Sequence, residues 1–96
     1  MKNETYNGWQ NYPTWRVQLE LFDGLDLADY GLDRLDTADL ADWLREHAES
    51  HIEETTKKGL ARDYALAFLS YVVWRELAEH AREGYDADNA DESEGA

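Results

Sequence analysis

Between residues 36 and 55 the chain repeats apolar and aromatic positions at intervals of three and four: Leu40, Trp43, Leu44, His47 and His51. At 100° per residue these five fall within about 100° of arc, while Asp39, Asp42, Glu46, Glu49 and Glu53 gather on the other side. The spacing predicts an amphipathic helix that starts at a cap on Asp36 or Thr37 and runs to about Thr55. A second run, Leu60, Tyr64, Ala67, Phe68, Tyr71, Trp74, Leu77 and Ala78, predicts one long central helix over residues 60–83, with a stop at Gly84.

Residues 14–22 are harder to read. Trp15, Val17, Leu19 and Leu21 alternate with Arg16, Gln18 and Glu20, a pattern that also suits a strand. No other segment offers a convincing strand to pair with, and Asn11 followed by Pro13 suits an N-cap and first turn, so a helix from about Tyr12 to Phe22 is expected. Asp23-Gly24 ends it, and residues 25–35 read as a short helical turn plus loop. Upstream lies an arm in which Asn7-Gly8 marks a turn and Tyr6, Trp9 and Tyr12 can lie on the body. Residues 86–96 have almost nothing to bury and carry five carboxylates, the composition of a disordered acidic tail. The expectation is an all-α fold: a small three- to four-helix bundle in one domain over residues 1–85, followed by that tail.

Charge changes this picture most. Twenty-two acidic residues stand against nine basic ones in 96, for a net charge of -13. Such a chain repels nucleic acid and anionic membrane, so its natural partner is basic. It has no cysteine, hence neither disulfide nor thiolate metal site. The opening "MKNETYNGWQ" lacks an apolar core of signal-peptide length, and no window approaches the roughly 18 apolar residues of a membrane span, so a cytoplasmic protein is expected.

The excess charge is concentrated. Residues 23–54, "DGLDLADYGLDRLDTADLADWLREHAESHIEE", hold eleven acids and two bases, a local balance of 2 - 11 = -9. Ordinary solvated helix faces interleave Glu with Lys four residues apart, and here that compensation is largely missing. Successive acids at three or four residues advance about 5 Å along a helix, close to the spacing of phosphates on a nucleic-acid strand. Asp26, Asp29, Asp33, Asp36, Asp39, Asp42, Glu46, Glu49 and Glu53 are therefore the candidate partner-binding residues, presented to Arg and Lys of a nucleic-acid groove. Two other readings fit the same charge. One is an acidic surface of the kind found in salt-rich cytoplasms, with no specific partner; the other is an acidic adaptor that binds a protein outside any nucleic-acid channel.

"YNGWQNYPTWRVQLELF", residues 6–22, resembles the Asn-Tyr-x-Thr-Trp signature of small proteins carried by phages, plasmids and other mobile elements. The matching positions are Gly8, Trp9, Asn11, Tyr12, Thr14, Trp15 and Val17; Pro13 and Arg16 depart from the acidic and polar uncharged residues usual there. The resemblance covers under a fifth of the chain and supplies no catalytic residues. It implies a mobile-element setting, in which small acidic helical proteins are similar to anti-CRISPR and anti-restriction inhibitors, several of which imitate DNA. The implied partner is a basic nucleic-acid-binding complex of the host, a CRISPR effector or a restriction enzyme, met in the host cytoplasm.

Other chemistry is sparse. His47 and His51, four apart, with His80 as a third ligand could in principle hold zinc, but their place on the apolar face favours packing. "DADNADE" in the tail begins like a calcium loop, yet Ala90 replaces the turn glycine and the chain ends too early for the glutamate. There is no Gly-rich phosphate loop and no nucleophile elbow, so neither an enzyme nor a cofactor is expected. Of four tryptophans, Trp15, Trp43 and Trp74 lie on apolar helix faces; Trp9, in the arm, either anchors an interface or covers the open end of the bundle.

Overall fold

The architecture follows from where the chain is capped. The structure is a computed structural model that describes residues 5–95, with side chains through Ala87. Four α-helices pack as a small bundle: α1 (Tyr12–Val17), α2 (Thr37–Thr55), α3 (Leu60–Leu69) and α4 (Trp74–Gly95). Among the described residues no strand forms; Tyr6 and Trp9 share only an isolated antiparallel bridge.

That bridge closes the turn predicted at Asn7-Gly8. Asn7 and Gly8 both take positive φ, 50° and 89°, and Tyr6 and Trp9 exchange backbone hydrogen bonds of 2.7 and 2.8 Å. Two consecutive positive φ values suit Asn-Gly better than any other natural pair. The arm is held down by Gln10 N–H donating to Glu76 Oε1 at 2.9 Å and by the Trp9 ring against His80, centroids 4.8 Å apart.

Asn11 caps α1, with its Oδ1 accepting the Thr14 N–H at 3.0 Å, and Pro13 occupies the first turn. The helix does not end at Val17 but widens into a π-helical turn over Gln18–Phe22. The widening has a packing consequence. Val17 and Phe22 are five residues apart, and the i→i+5 geometry brings both to the core side, where an α-helix would rotate them about 140° apart. Leu19, between them, faces solvent, which rules out the strand reading.

Residues 25–35 fold as two short 3-10 turns, Leu27–Tyr30 and Leu32–Arg34, joined at Gly31 in the left-handed conformation. Leu27 and Leu32 are buried, and α4 clamps the segment from outside: Arg82 Nη1 donates to Asp33 O and Leu35 O, each at 2.9 Å. Asp36 then caps α2 by accepting the Asp39 N–H at 2.8 Å. At the other end Arg62 Nη2 donates to the carbonyls of Glu53 and Thr56, satisfying groups that a helix C-terminus leaves without partners.

The largest departure from the sequence reading lies between residues 60 and 83. The predicted single helix breaks after Leu69, where Ser70 Oγ folds back onto Ala67 O at 2.5 Å, and α4 restarts at Trp74. A break frees backbone groups that need partners, and α1 supplies them. Asn11 Nδ2 donates to Tyr71 O at 2.9 Å, and Thr14 Oγ1 accepts the Val73 N–H at 2.9 Å. Val72 enters the core at the break, and α4, redirected, lays Leu77 and Ala78 against Leu40, Leu44 and Ala48 of α2.

The break also overturns the predicted stripe. Leu60, Tyr64 and Tyr71 are 65%, 68% and 68% exposed, and Ala67 is exposed as well. Instead α3 turns Leu69 inward, flanked by Leu66 and Ala65. Leu77 and Ala78 are buried as predicted, while Phe68 and Trp74 are half-buried. Nor does the helix stop at Gly84: α4 runs through it, held by Arg82 on one side and by Tyr85, half-buried against the core, on the other. Of the segment read as a disordered tail, residues 86–96, the backbone is described as the last part of α4 through Gly95 and the side chains only through Ala87.

Candidate partner-binding surface

Five of the nine predicted carboxylates share one helix. On α2, Asp39, Asp42, Glu46, Glu49 and Glu53 fall within about 80° of arc and span about 21 Å of axis. The buried residues Leu40, Leu44 and Ala48 lie on the opposite side, so the acidic stripe points away from the core. Asp39, Asp42, Glu46 and Glu53 are exposed; Glu49 is half-buried and accepts Arg45 Nε at 3.1 Å. This solvent-accessible pair contributes little to stability, but it neutralises one position of the stripe.

The four earlier acids are tied to local structure in different ways. Asp36, at the N-terminus of α2, spends one oxygen on the helix cap and extends the stripe by one position. Asp26 caps the first 3-10 turn, with Oδ1 accepting the Ala28 N–H at 3.0 Å. Asp29 is exposed. Asp33 is half-buried, and its Oδ2 accepts the Tyr85 hydroxyl at 3.3 Å, which turns it toward α4. The structure thus brings Asp36 through Glu53 together as one row, whereas Asp33 is engaged in holding the loop.

Beside the row lies an aromatic stack. The His47 ring stacks on Trp43 at 4.8 Å and 10°, Tyr30 meets the other residue of the pair at 5.9 Å, and Phe22 approaches His47 at 6.1 Å. Tyr30 is 61% exposed, and both His47 and His51 are exposed, contrary to their predicted place on the buried face. The buried line of α2 is Leu40–Leu44–Ala48: His47 sits at the margin of its arc, whereas His51 falls within the arc but beyond Ala48, the last buried residue of the helix. Among the described residues no group of three or more His, Cys, Asp or Glu side chains is placed to hold a metal ion.

Trp9 is half-buried, packed against the core with its ring beside His80. Together with Asn7, Gly8, Glu76, Glu79 and Glu83 they line an open depression of about 400 Å³. Glu76, Glu79 and Glu83 form a second row of carboxylates on α4. The sequence reading missed it because Arg75 and Arg82 interrupt the charge run, although the three- and four-residue spacing is the same. Arg75 pairs with Glu79 at 3.0 Å, and Arg82 is committed to the loop carbonyls. On α1, Arg16 donates to Glu20 and to the Tyr12 hydroxyl, and the Glu20 carboxylate raises the guanidinium pKa further above its ordinary value.

Among the described residues no helix is long and apolar enough to cross a membrane. Comparison with known protein families, characterised proteins and solved structures finds no match to this chain.

Proposed function

We propose that the protein inhibits a host nucleic-acid-binding defence complex of the CRISPR or restriction type, acting as an acidic mimic that occupies the groove meant for target DNA. The observation that carries this reading is the row Asp36, Asp39, Asp42, Glu46, Glu49 and Glu53. It is fixed on a helix whose far side is core, and it contains a single ion pair. A rigid row resists collapse and needs no ordering when a partner's Arg and Lys arrive, so the entropy of binding is spared. Steps of about 5 Å along the axis suit cationic side chains arranged for phosphates. The protein acts by occupancy rather than by chemistry, takes no cofactor and meets its partner in the host cytoplasm.

The test is competition. A purified effector pre-incubated with the protein should lose target DNA binding, and added DNA should displace the protein. Complex formation should weaken steeply with salt, as phosphate contacts do. Inhibition that leaves DNA binding intact would instead identify an adaptor acting outside the groove, and the mimicry reading would fall.

A further inference from the structure

The outward face of α3 is the opposite of what a helix in so acidic a chain should show. Directly away from buried Leu69 lie Leu60, Tyr64 and Ala67, followed by Tyr71, whose N–H continues the turn onto Phe68 O at 3.1 Å. Leu60, Tyr64 and Tyr71 each leave about two thirds of their surface in solvent. The patch continues through Phe68 to Tyr12, with ring centroids 6.3 Å apart, and from Tyr12 to Tyr6 at 5.1 Å. Scattered exposed apolar residues need no explanation, but a continuous face of this kind does.

We propose that this face pairs with the same face of a second copy, α3 packing antiparallel on α3 about a two-fold axis that passes between Tyr64 and Ala67. Three observations select this occupant. On α3 the spacing Leu60, Tyr64, Ala67 alternates four and three residues, the repeat that keeps one seam of a helix against a partner helix, and Tyr71, in the turn just past the end of α3, follows four residues on. About that axis the seam is self-complementary, as an isologous contact requires: Leu60 meets Tyr71 of the second copy and Tyr64 meets its Ala67, so each bulky ring has a smaller side chain opposite.

The second observation is charge. Two chains of net charge -13 repel, and they approach most easily where that charge is missing. Residues 56–75 carry Lys57, Lys58, Arg62 and Arg75 against one acid, Asp63, and α3 contributes none of the carboxylates of the α2 row. The third is area. The exposed parts of Leu60, Tyr64, Tyr71, Tyr12 and Tyr6 amount to on the order of 500 Å² per copy, or about 1,000 Å² for two, the lower bound of a specific interface.

Sedimentation equilibrium of the full chain tests the pairing. Wild type should form a dimer at micromolar concentration, and added salt should strengthen it by screening the repulsion. That dependence is opposite in sign to the one expected for the acidic row on a basic effector, so the two readings fail independently. Tyr64→Ala and Ala67→Tyr should each weaken dimerisation about tenfold, while the double exchange, which restores one large and one small residue at each contact, should recover it. Both positions are exposed, so the helical circular dichroism of every variant should match wild type; Leu60→Lys is an independent disruptor at the seam's end. A wild type that remains monomeric at all salt concentrations, or a dimer indifferent to these substitutions, would overturn the proposal.

Discussion

Thr14 and Val73 are 59 residues apart in the chain and joined by a 2.9 Å hydrogen bond, from the Val73 N–H to the Thr14 hydroxyl. Thr14 is fully buried, and the same hydroxyl donates to Asn11 Oδ1 at 2.6 Å, while Asn11 Nδ2 donates to Tyr71 O. Two residues of the Asn-Tyr-x-Thr-Trp segment thus satisfy the peptide groups left open where α3 gives way to α4. Here that segment serves as a structural latch: it lets the chain turn between two helices without stranding a buried donor.

Thr14→Val keeps the shape and removes the acceptor. The Val73 N–H is then left unpaired in a part-buried site, at a cost of about 1–3 kcal/mol. Urea denaturation should show the midpoint falling by a corresponding amount, with Thr14→Ser closer to wild type. Because Asn11 and Thr14 share one network, the losses in Asn11→Ala and Thr14→Val should sum to more than the loss in the double variant. Additive losses would show that the two act separately.

The latch explains why the sequence misled at this point. Residues 60–83 read as one helix because apolar residues recur at helical spacing across the break, and the partners that stabilise the break lie near residue 14. The inward face of α3 was illegible for a related reason: Leu60, Ala61, Tyr64, Ala65, Leu66, Ala67, Phe68 and Leu69 surround most of the helix, so periodicity alone gives it no orientation. In α2, by contrast, strong acids exclude one side and the cap at Asp36 fixes the start. There the element, its bounds and the acidic row could all be read from the chain. Spacing alone puts Asp33 in the row, but its contact with Tyr85 depends on α4 passing beside the loop, which local sequence does not encode.

Arg82 should matter more than its position near the end of the described core suggests. Its Nη1 bonds Asp33 O and Leu35 O across the 3-10 segment, and hydrogen bonds from a charged donor contribute about 1.5–3 kcal/mol. Arg82→Met should lower stability by roughly that amount. Amide hydrogen exchange should accelerate first over residues 27–36, before α2 and α4 open. Exchange that rises uniformly over the whole bundle would show that the clamp has no local role.

The acidic row permits a prediction in which fold and binding part company. Asp42→Asn, Glu46→Gln and Glu53→Gln remove three charges that have no basic partner, and relieving like-charge neighbours at three and four residues should leave stability unchanged or raise it by a few tenths of a kcal/mol per pair. Inhibition of the effector should nonetheless fall sharply, and the salt dependence of binding should become shallower in step with the charges removed. Full inhibition by the triple variant would remove α2 from the interface.

Two glycines should respond to alanine with opposite signs. Gly31 has φ +69° between the two 3-10 turns, and a Cβ there meets nothing within 4 Å, so Gly31→Ala should cost about 1 kcal/mol from backbone strain alone. Gly84 also has open space around a Cβ, but it lies within α4 at an ordinary helical φ. Gly84→Ala should therefore stabilise by roughly 0.5–1 kcal/mol, the helix-propensity difference between the two residues. The sign at Gly84 distinguishes the two descriptions of this end of the molecule. A helix that stopped there in the left-handed conformation would be weakened by alanine, whereas a helix that continues is strengthened, and a thermal melt of the single variant decides between them.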